Sequence, residues 1–108
     1  KIPDVQIVAR ITMRNEVAEL PLAMKPGGRR LSVGRASDNE VALNDTSVSK
    51  IHAALTMNPE GTLLVADTGS TNGTYINGRR ISYGEARQIA EGDVVGFGDV
   101  EVRFRKVE

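Results

Sequence analysis

Apolar residues in this chain recur at every second position. Val5, Ile7, Ala9, Ile11 and Met13 share one parity, with Gln6, Arg10 and Thr12 on the other. Near the end, Val100, Val102 and Phe104 alternate with Glu101, Arg103 and Arg105. Successive side chains of an extended strand point to opposite faces, so these segments bury one face and wet the other. Further strand candidates are Val17–Met24, Arg30–Arg35, His52–Met57, Thr62–Asp67, Thr74–Ile76 and Asp93–Phe97.

Turn chemistry breaks the alternation at short intervals. Pro26-Gly27-Gly28, Asn58-Pro59-Glu60-Gly61, Asn72-Gly73 and Asn77-Gly78 all favour reversals of the chain. Asn77-Gly78, between Thr74–Ile76 and Arg79–Ser82, reads as a two-residue type I′ hairpin, whose central positions both need positive φ. Only Glu85–Ala90 has helix-forming composition, and it is too short to be stable alone; it reads equally as a short strand. Many short strands with frequent turns make the fold class all-β, a sandwich or barrel.

The chain has 108 residues, which suits one domain over 1–108. A domain near that size buries roughly two-thirds of its unfolded surface, enough for one core without staples. It contains no cysteine, so disulfides and thiolate metal sites are excluded, and a reducing, intracellular (cytoplasmic) setting is expected. Lys plus Arg and Asp plus Glu both number 14. That balance argues against gripping a nucleic-acid backbone, although Arg29, Arg30 and Arg35 lie close together. No apolar run approaches the ~20 residues that span a bilayer. The first residue is Lys1 rather than Met, so the chain is expected to be a segment of a longer protein.

Polar residues concentrate in three places between strands. They are Gly34-Arg35, the stretch Ser47-Val48-Ser49-Lys50-Ile51-His52, and Gly69-Ser70-Thr71-Asn72-Gly73-Thr74. Together they offer a guanidinium, an ammonium, several hydroxyls and a carboxamide. This donor set suits an oxyanion with several acceptor oxygens, of which a phosphate monoester dianion is the natural match.

The order G-R-A-S-D-N, then S-V-S-K-I-H-A, then D-T-G-S-T-N-G-T-Y-I-N-G resembles the forkhead-associated (FHA) domain family. The motifs run from Gly34 to Gly78, and the strand pattern extends the likeness over nearly the whole chain. The resemblance implies an eleven-stranded sandwich whose loops at one end bind a phosphothreonine-containing protein segment. It implies that Arg35 contacts the phosphate, that Ser49 donates its hydroxyl to it, and that Lys50 adds charge. Thr71 would reach the phosphothreonine, and Asn72 would hydrogen-bond the ligand main chain. Gly34, His52, Gly69 and Gly73 would build the loops. The family also prefers phosphothreonine to phosphoserine through a methyl pocket; one buried methyl contributes about 0.8 kcal/mol, roughly fourfold in affinity. No metal, cofactor or catalysis is implied. The expected partner is a Ser/Thr kinase substrate or another part of the same polypeptide, and the domain is expected to act as a monomer.

Taken singly, these residues have plainer readings. Arg35 suits a surface arginine, Ser49 a loop serine, and Asn72 a turn former. Ser49, His52 and Asp45 suggest a nucleophilic triad, but in extended chain Ser49 and His52 point apart, which favours a structural histidine. Leu63-Leu64-Val65-Ala66-Asp67-Thr68-Gly69-Ser70 also matches half of a dimeric aspartic protease, with Asp67 as the catalytic carboxylate. That reading leaves Gly34-Arg35 and Ser49 to His52 unexplained. A third reading is a phosphate-independent interaction domain.

Overall fold

A computed structural model describes residues 2–107. Its eleven strands are β1 (Val5–Met13), β2 (Glu16–Met24), β3 (Leu31–Gly34), β4 (Val41–Ala42), β5 (Ala53–Met57), β6 (Leu63–Asp67), β7 (Thr74–Ile76), β8 (Arg79–Arg80), β9 (Arg87–Ile89), β10 (Val95–Phe97) and β11 (Val100–Lys106). One sheet runs β2-β1-β11-β10-β7-β8 and the other β4-β3-β5-β6-β9. Pairing is antiparallel except between β3 and β4. No helix among the described residues is long and apolar enough to cross a membrane.

The period-two pattern becomes the core. Ala9 pairs with Phe104 and Ile11 with Val102, so one parity of β1 and β11 faces inward. Leu55 pairs with Val65 in the opposing sheet and supplies the other wall. Val33, Leu55, Val65, Val95, Phe97 and Val102 are fully buried, each worth about 1.5–3 kcal/mol over an exposed side chain. Arg10, Glu101, Arg103 and Arg105 take the solvated parity.

Several boundaries depart from the sequence expectation. β4 is only two residues long, too short for any alternation to reveal it. Arg14 and Asn15 turn between β1 and β2 with φ of 50° and 64°; neither is glycine, so the turn carries little compositional signal. Of the two readings left open for Glu85–Ala90 the short strand holds, over Arg87–Ile89: Ile89 pairs with Leu63 and its side chain joins the core. A single helical turn cannot outweigh hydrogen bonds to the free edge of β6. Asn77 and Gly78 have φ of 52° and 81°, as a type I′ hairpin needs.

Because β5 and β6 pair Ala53 with Asp67, the loops before β5 and after β6 emerge at the same end. The β10–β11 turn joins them there: Gly98 N–H donates to the Gly73 carbonyl, and Asp99 N–H to Ser47 Oγ.

Candidate functional site

Gly34 ends β3 against the loop that carries Ser49 and Lys50. A Cβ at residue 34 would lie 2.1 Å from the Lys50 carbonyl oxygen and 2.8 Å from Asn39 Nδ2, so only glycine fits. This close approach lets Arg35 N–H donate to the Ser49 carbonyl at 2.8 Å. Asn39 fixes the same seam, its Nδ2 donating to the Ala36 and Lys50 carbonyls. The half-buried Arg35 guanidinium then donates to the Val48 carbonyl at 2.9 Å. Among the described residues no protein acceptor meets its remaining N–H groups.

The second loop is held by short-range polar contacts and one apolar anchor. Asp45 accepts from Ser47 N–H and Ser47 Oγ, at 3.1 and 2.6 Å, and those bonds hold its carboxyl below the usual range. Val48 is buried in the core beneath. Ser49 Oγ accepts from Thr71 N–H at 3.0 Å, which keeps its own hydroxyl hydrogen available and ties the second loop to the third.

His52 is buried at 0 % exposure, edge-on to Phe97 with ring centroids 5.8 Å apart. Its Nδ1 accepts from Ser49 N–H at 3.1 Å, and its Nε2 pairs with the Gly73 carbonyl at 2.8 Å. An amide N–H only donates and a carbonyl only accepts, so the ring is neutral with its proton on Nε2. Burial pushes its pKa down, against the opposing influence of the Gly73 bond and the Asp67 charge. The expectation that Ser49 and His52 diverge rested on extended chain; the segment bends instead and brings the ring to the Ser49 backbone. Neither ring nitrogen meets the Ser49 hydroxyl, so the triad geometry does not form.

The third loop is organised by Asp67. Its Oδ1 accepts from the N–H groups of Gly69 and Ser70 at 2.8 and 3.0 Å; its Oδ2 accepts from Ser70 Oγ and, at 2.7 Å, from Thr74 Oγ1. Burial alone would raise this pKa, but the four bonds together lower it. A carboxylate so engaged and only 5 % exposed is a loop builder, which removes the geometric basis for the protease reading. Gly69 and Gly73 take φ of 109° and 95°, backbone conformations that glycine adopts without strain. Asn72 Nδ2 donates to the Ser47 carbonyl at 2.9 Å, which ties the third loop to the second and leaves one Nδ2 hydrogen and Oδ1 without a protein partner among the described residues. Ser70, Thr74 and Asp45 were not singled out as loop supports; short polar side chains flanking a glycine turn are the signal that marks them.

The three loops enclose a surface depression of about 280 Å³, lined by Arg35, Thr46, Ser47, Val48, Ser49, Lys50, Thr71 and Asn72. All five residues expected to touch ligand are brought together there, while Gly34, His52, Gly69 and Gly73 lie behind or between them. The charged residues that line it, Arg35 and Lys50, are both cationic, and the lip is rich in donors. A concavity of equal volume at the opposite end has Ile7, Leu63, Ile89 and Phe104 among its lining residues. Converging donors, rather than volume, distinguish the first.

Residues 31–98 match the family model described as FHA domain. An ABC transporter ATP-binding/permease protein of Mycobacterium tuberculosis is 38% identical over 86 residues, covering 80% of this chain and 9% of that protein. The chain therefore spans a small part of that relative's length. The FHA domain of the CT664 protein from Chlamydia trachomatis has a TM-score of 0.81 at 24% identity, covering 95% of this chain and 99% of that one. A structure from an analysis of phosphothreonine-dependent FHA domain interactions has a TM-score of 0.77 at 26% identity, covering 95% and 98%. On the match over residues 31–98, this chain belongs to the FHA domain family.

Proposed function

We propose that this chain is a phosphothreonine-dependent binding module with no catalysis of its own. The observation that carries the reading is the convergence of Arg35, Ser49, Lys50, Thr71 and Asn72 on one depression without an acidic lining residue. In that reading the Arg35 fork and the Ser49 hydroxyl donate to phosphate oxygens, and Lys50 adds a mobile positive charge. Thr71 flanks the phosphothreonine, and the Asn72 carboxamide hydrogen-bonds the ligand main chain. Similarity to a domain studied for phosphothreonine-dependent interactions supports the assignment. The partner is a protein phosphorylated by a Ser/Thr kinase, or another segment of the same polypeptide, met in the cytoplasm by a monomeric domain.

Calorimetric titration of one peptide in four forms tests this: phosphothreonine, phosphoserine, threonine and glutamate at the same position. Binding is expected to require the phosphate and to favour phosphothreonine by at least the roughly fourfold of one buried methyl. Equal affinity for the phosphorylated and unphosphorylated forms would overturn the proposal in favour of phosphate-independent interaction.

A further inference from the structure

The β7–β8 hairpin carries a cation that the phosphothreonine reading does not use. A Cβ placed on Gly73 would lie 2.7 Å from Arg80 Nε and 3.0 Å from Arg80 Cζ. The guanidinium therefore lies across the Gly73 backbone, immediately beside Asn72, which lines the phosphate depression. The missing side chain is what admits it. Tyr75 completes the arrangement: its hydroxyl would be 3.0 Å from the same Cβ and donates to the Asn72 carbonyl at 2.9 Å. Tyr75 and Arg80 are register partners across the hairpin and so share one sheet face.

Among the described residues, Arg80 makes no ion pair and no side-chain hydrogen bond, whereas Arg29, Arg87 and Arg105 each face a glutamate. The acid aligned with it across the sheet, Glu101, is separated by Tyr75 and Gly96 in the ladder β8–β7–β10–β11. Neither Glu101 nor Asp99, in the β10–β11 turn, forms an ion pair with it. A guanidinium with no ion-pair partner among the described residues and an aromatic neighbour, at the lip of an anion site, is equipped for a second anion. Arg80 does not itself line the depression, so a ligand group that meets it lies apart from the phosphothreonine.

We propose that Arg80 forms a second anion subsite, which takes a carboxylate or a second phosphate carried by the same ligand a few residues from the phosphothreonine. This rests on the phosphothreonine reading and extends it. The guanidinium fork suits both anions, and the dianion is held more tightly. At an exposed position a carboxylate is expected to gain about two- to fivefold in affinity, and a phosphate roughly tenfold.

The test scans glutamate through each position flanking phosphothreonine in an alanine-rich peptide, then places phosphoserine at any position that gains. Affinities are measured for the wild-type chain, Arg80→Gln and Arg79→Gln. Arg79 neighbours Arg80 on the opposite face of β8, so its variant carries the same charge change without touching the subsite. The expected result is a glutamate-to-alanine affinity ratio of about two to five at one position. That ratio should persist in Arg79→Gln and fall to about one in Arg80→Gln. Phosphothreonine-dependent binding with no gain at any position overturns the subsite alone. So does a gain that survives Arg80→Gln, or one that Arg79→Gln removes equally. Absence of binding to every phosphopeptide would instead sink the underlying phosphothreonine reading, and the subsite with it.

Discussion

His52 Nε2 lies 2.8 Å from the Gly73 carbonyl oxygen, and Nδ1 of the same ring accepts from Ser49 N–H at 3.1 Å. One neutral imidazole thus joins the loop before β5 to the loop after β6. The ring is wedged against Phe97, so the link belongs to the core as much as to the loops. The Ser49 hydroxyl, accepting from Thr71 N–H, makes a second tie nearer the surface. Bonds of this kind fix a site before ligand arrives and spare the ordering cost of binding.

Arg35→Ala is expected to weaken binding of a phosphothreonine peptide by about tenfold to a hundredfold, the loss of a charge-assisted contact of about 1.5–3 kcal/mol. Ser49→Ala is expected to weaken it as well, by the loss of a donor and of the tie to Thr71. Titration of both variants, with thermal melts to confirm folding, checks this. Wild-type affinity in either folded variant would contradict the role assigned to that residue.

Gly34→Ala is expected to damage the site from behind. The added methyl meets the Lys50 carbonyl at 2.1 Å, a backbone atom that cannot swing aside. Separating β3 from the Ser49–Lys50 segment typically costs about 1–3 kcal/mol and displaces Arg35 relative to Ser49. A lowered melting temperature together with weakened phosphopeptide binding is expected. A variant with wild-type values for both would show that the seam opens without cost.

The sheets were legible because β1, β6, β10 and β11 each alternate apolar and polar residues or run apolar between turn signals. β4 and the ends of β2 were not, since two residues carry no period and Glu16–Glu19 has no buried face. The order of the loop motifs identified the family and the residues that gather at the depression. What the sequence could not supply was the direction of each hydrogen bond. In a linear string Asp67 admits a catalytic reading beside the structural one, because an apolar strand entering Asp-Thr-Gly-Ser fits two different uses of a carboxylate. Only folding shows its oxygens turned back on Gly69, Ser70 and Thr74. Arg80 was invisible for a related reason: its place beside Asn72 comes from hairpin register and from the side chain Gly73 lacks.

Asp67→Asn separates the two uses of that residue. The amide keeps the shape but turns one acceptor into a donor, facing either two backbone N–H groups or two hydroxyls. Destabilisation of about 1–3 kcal/mol is expected, with weaker phosphopeptide binding because the Thr71–Asn72 loop loosens. Chemical denaturation measures the first and titration the second. A variant of wild-type stability would overturn the loop-building role.

Acid is expected to act on the protein and on its ligand through different groups. The pKa of His52 in the fold lies below its ordinary value of 6.5, chiefly through burial, so the unfolded chain binds more protons between the two values. Stability then rises with pH across that interval: it is full above about 6.5 and falls as pH drops below, by at most about 1.4 kcal/mol per pH unit. Asp67, with its folded pKa also lowered, loses its contribution only below its ordinary 3.8, so the fall that begins just below 6.5 belongs to His52. Phosphothreonine gains its second proton near pH 6, so its affinity should also decline between pH 7 and 5. His52→Gln separates the effects, since an amide can accept from Ser49 N–H and donate to the Gly73 carbonyl without titrating. Its melting temperature should be nearly flat from pH 7 to 5, while its affinity for phosphopeptide still falls. If the wild-type melting temperature is already flat over that range, His52 is not the acid-sensitive clamp between the loops.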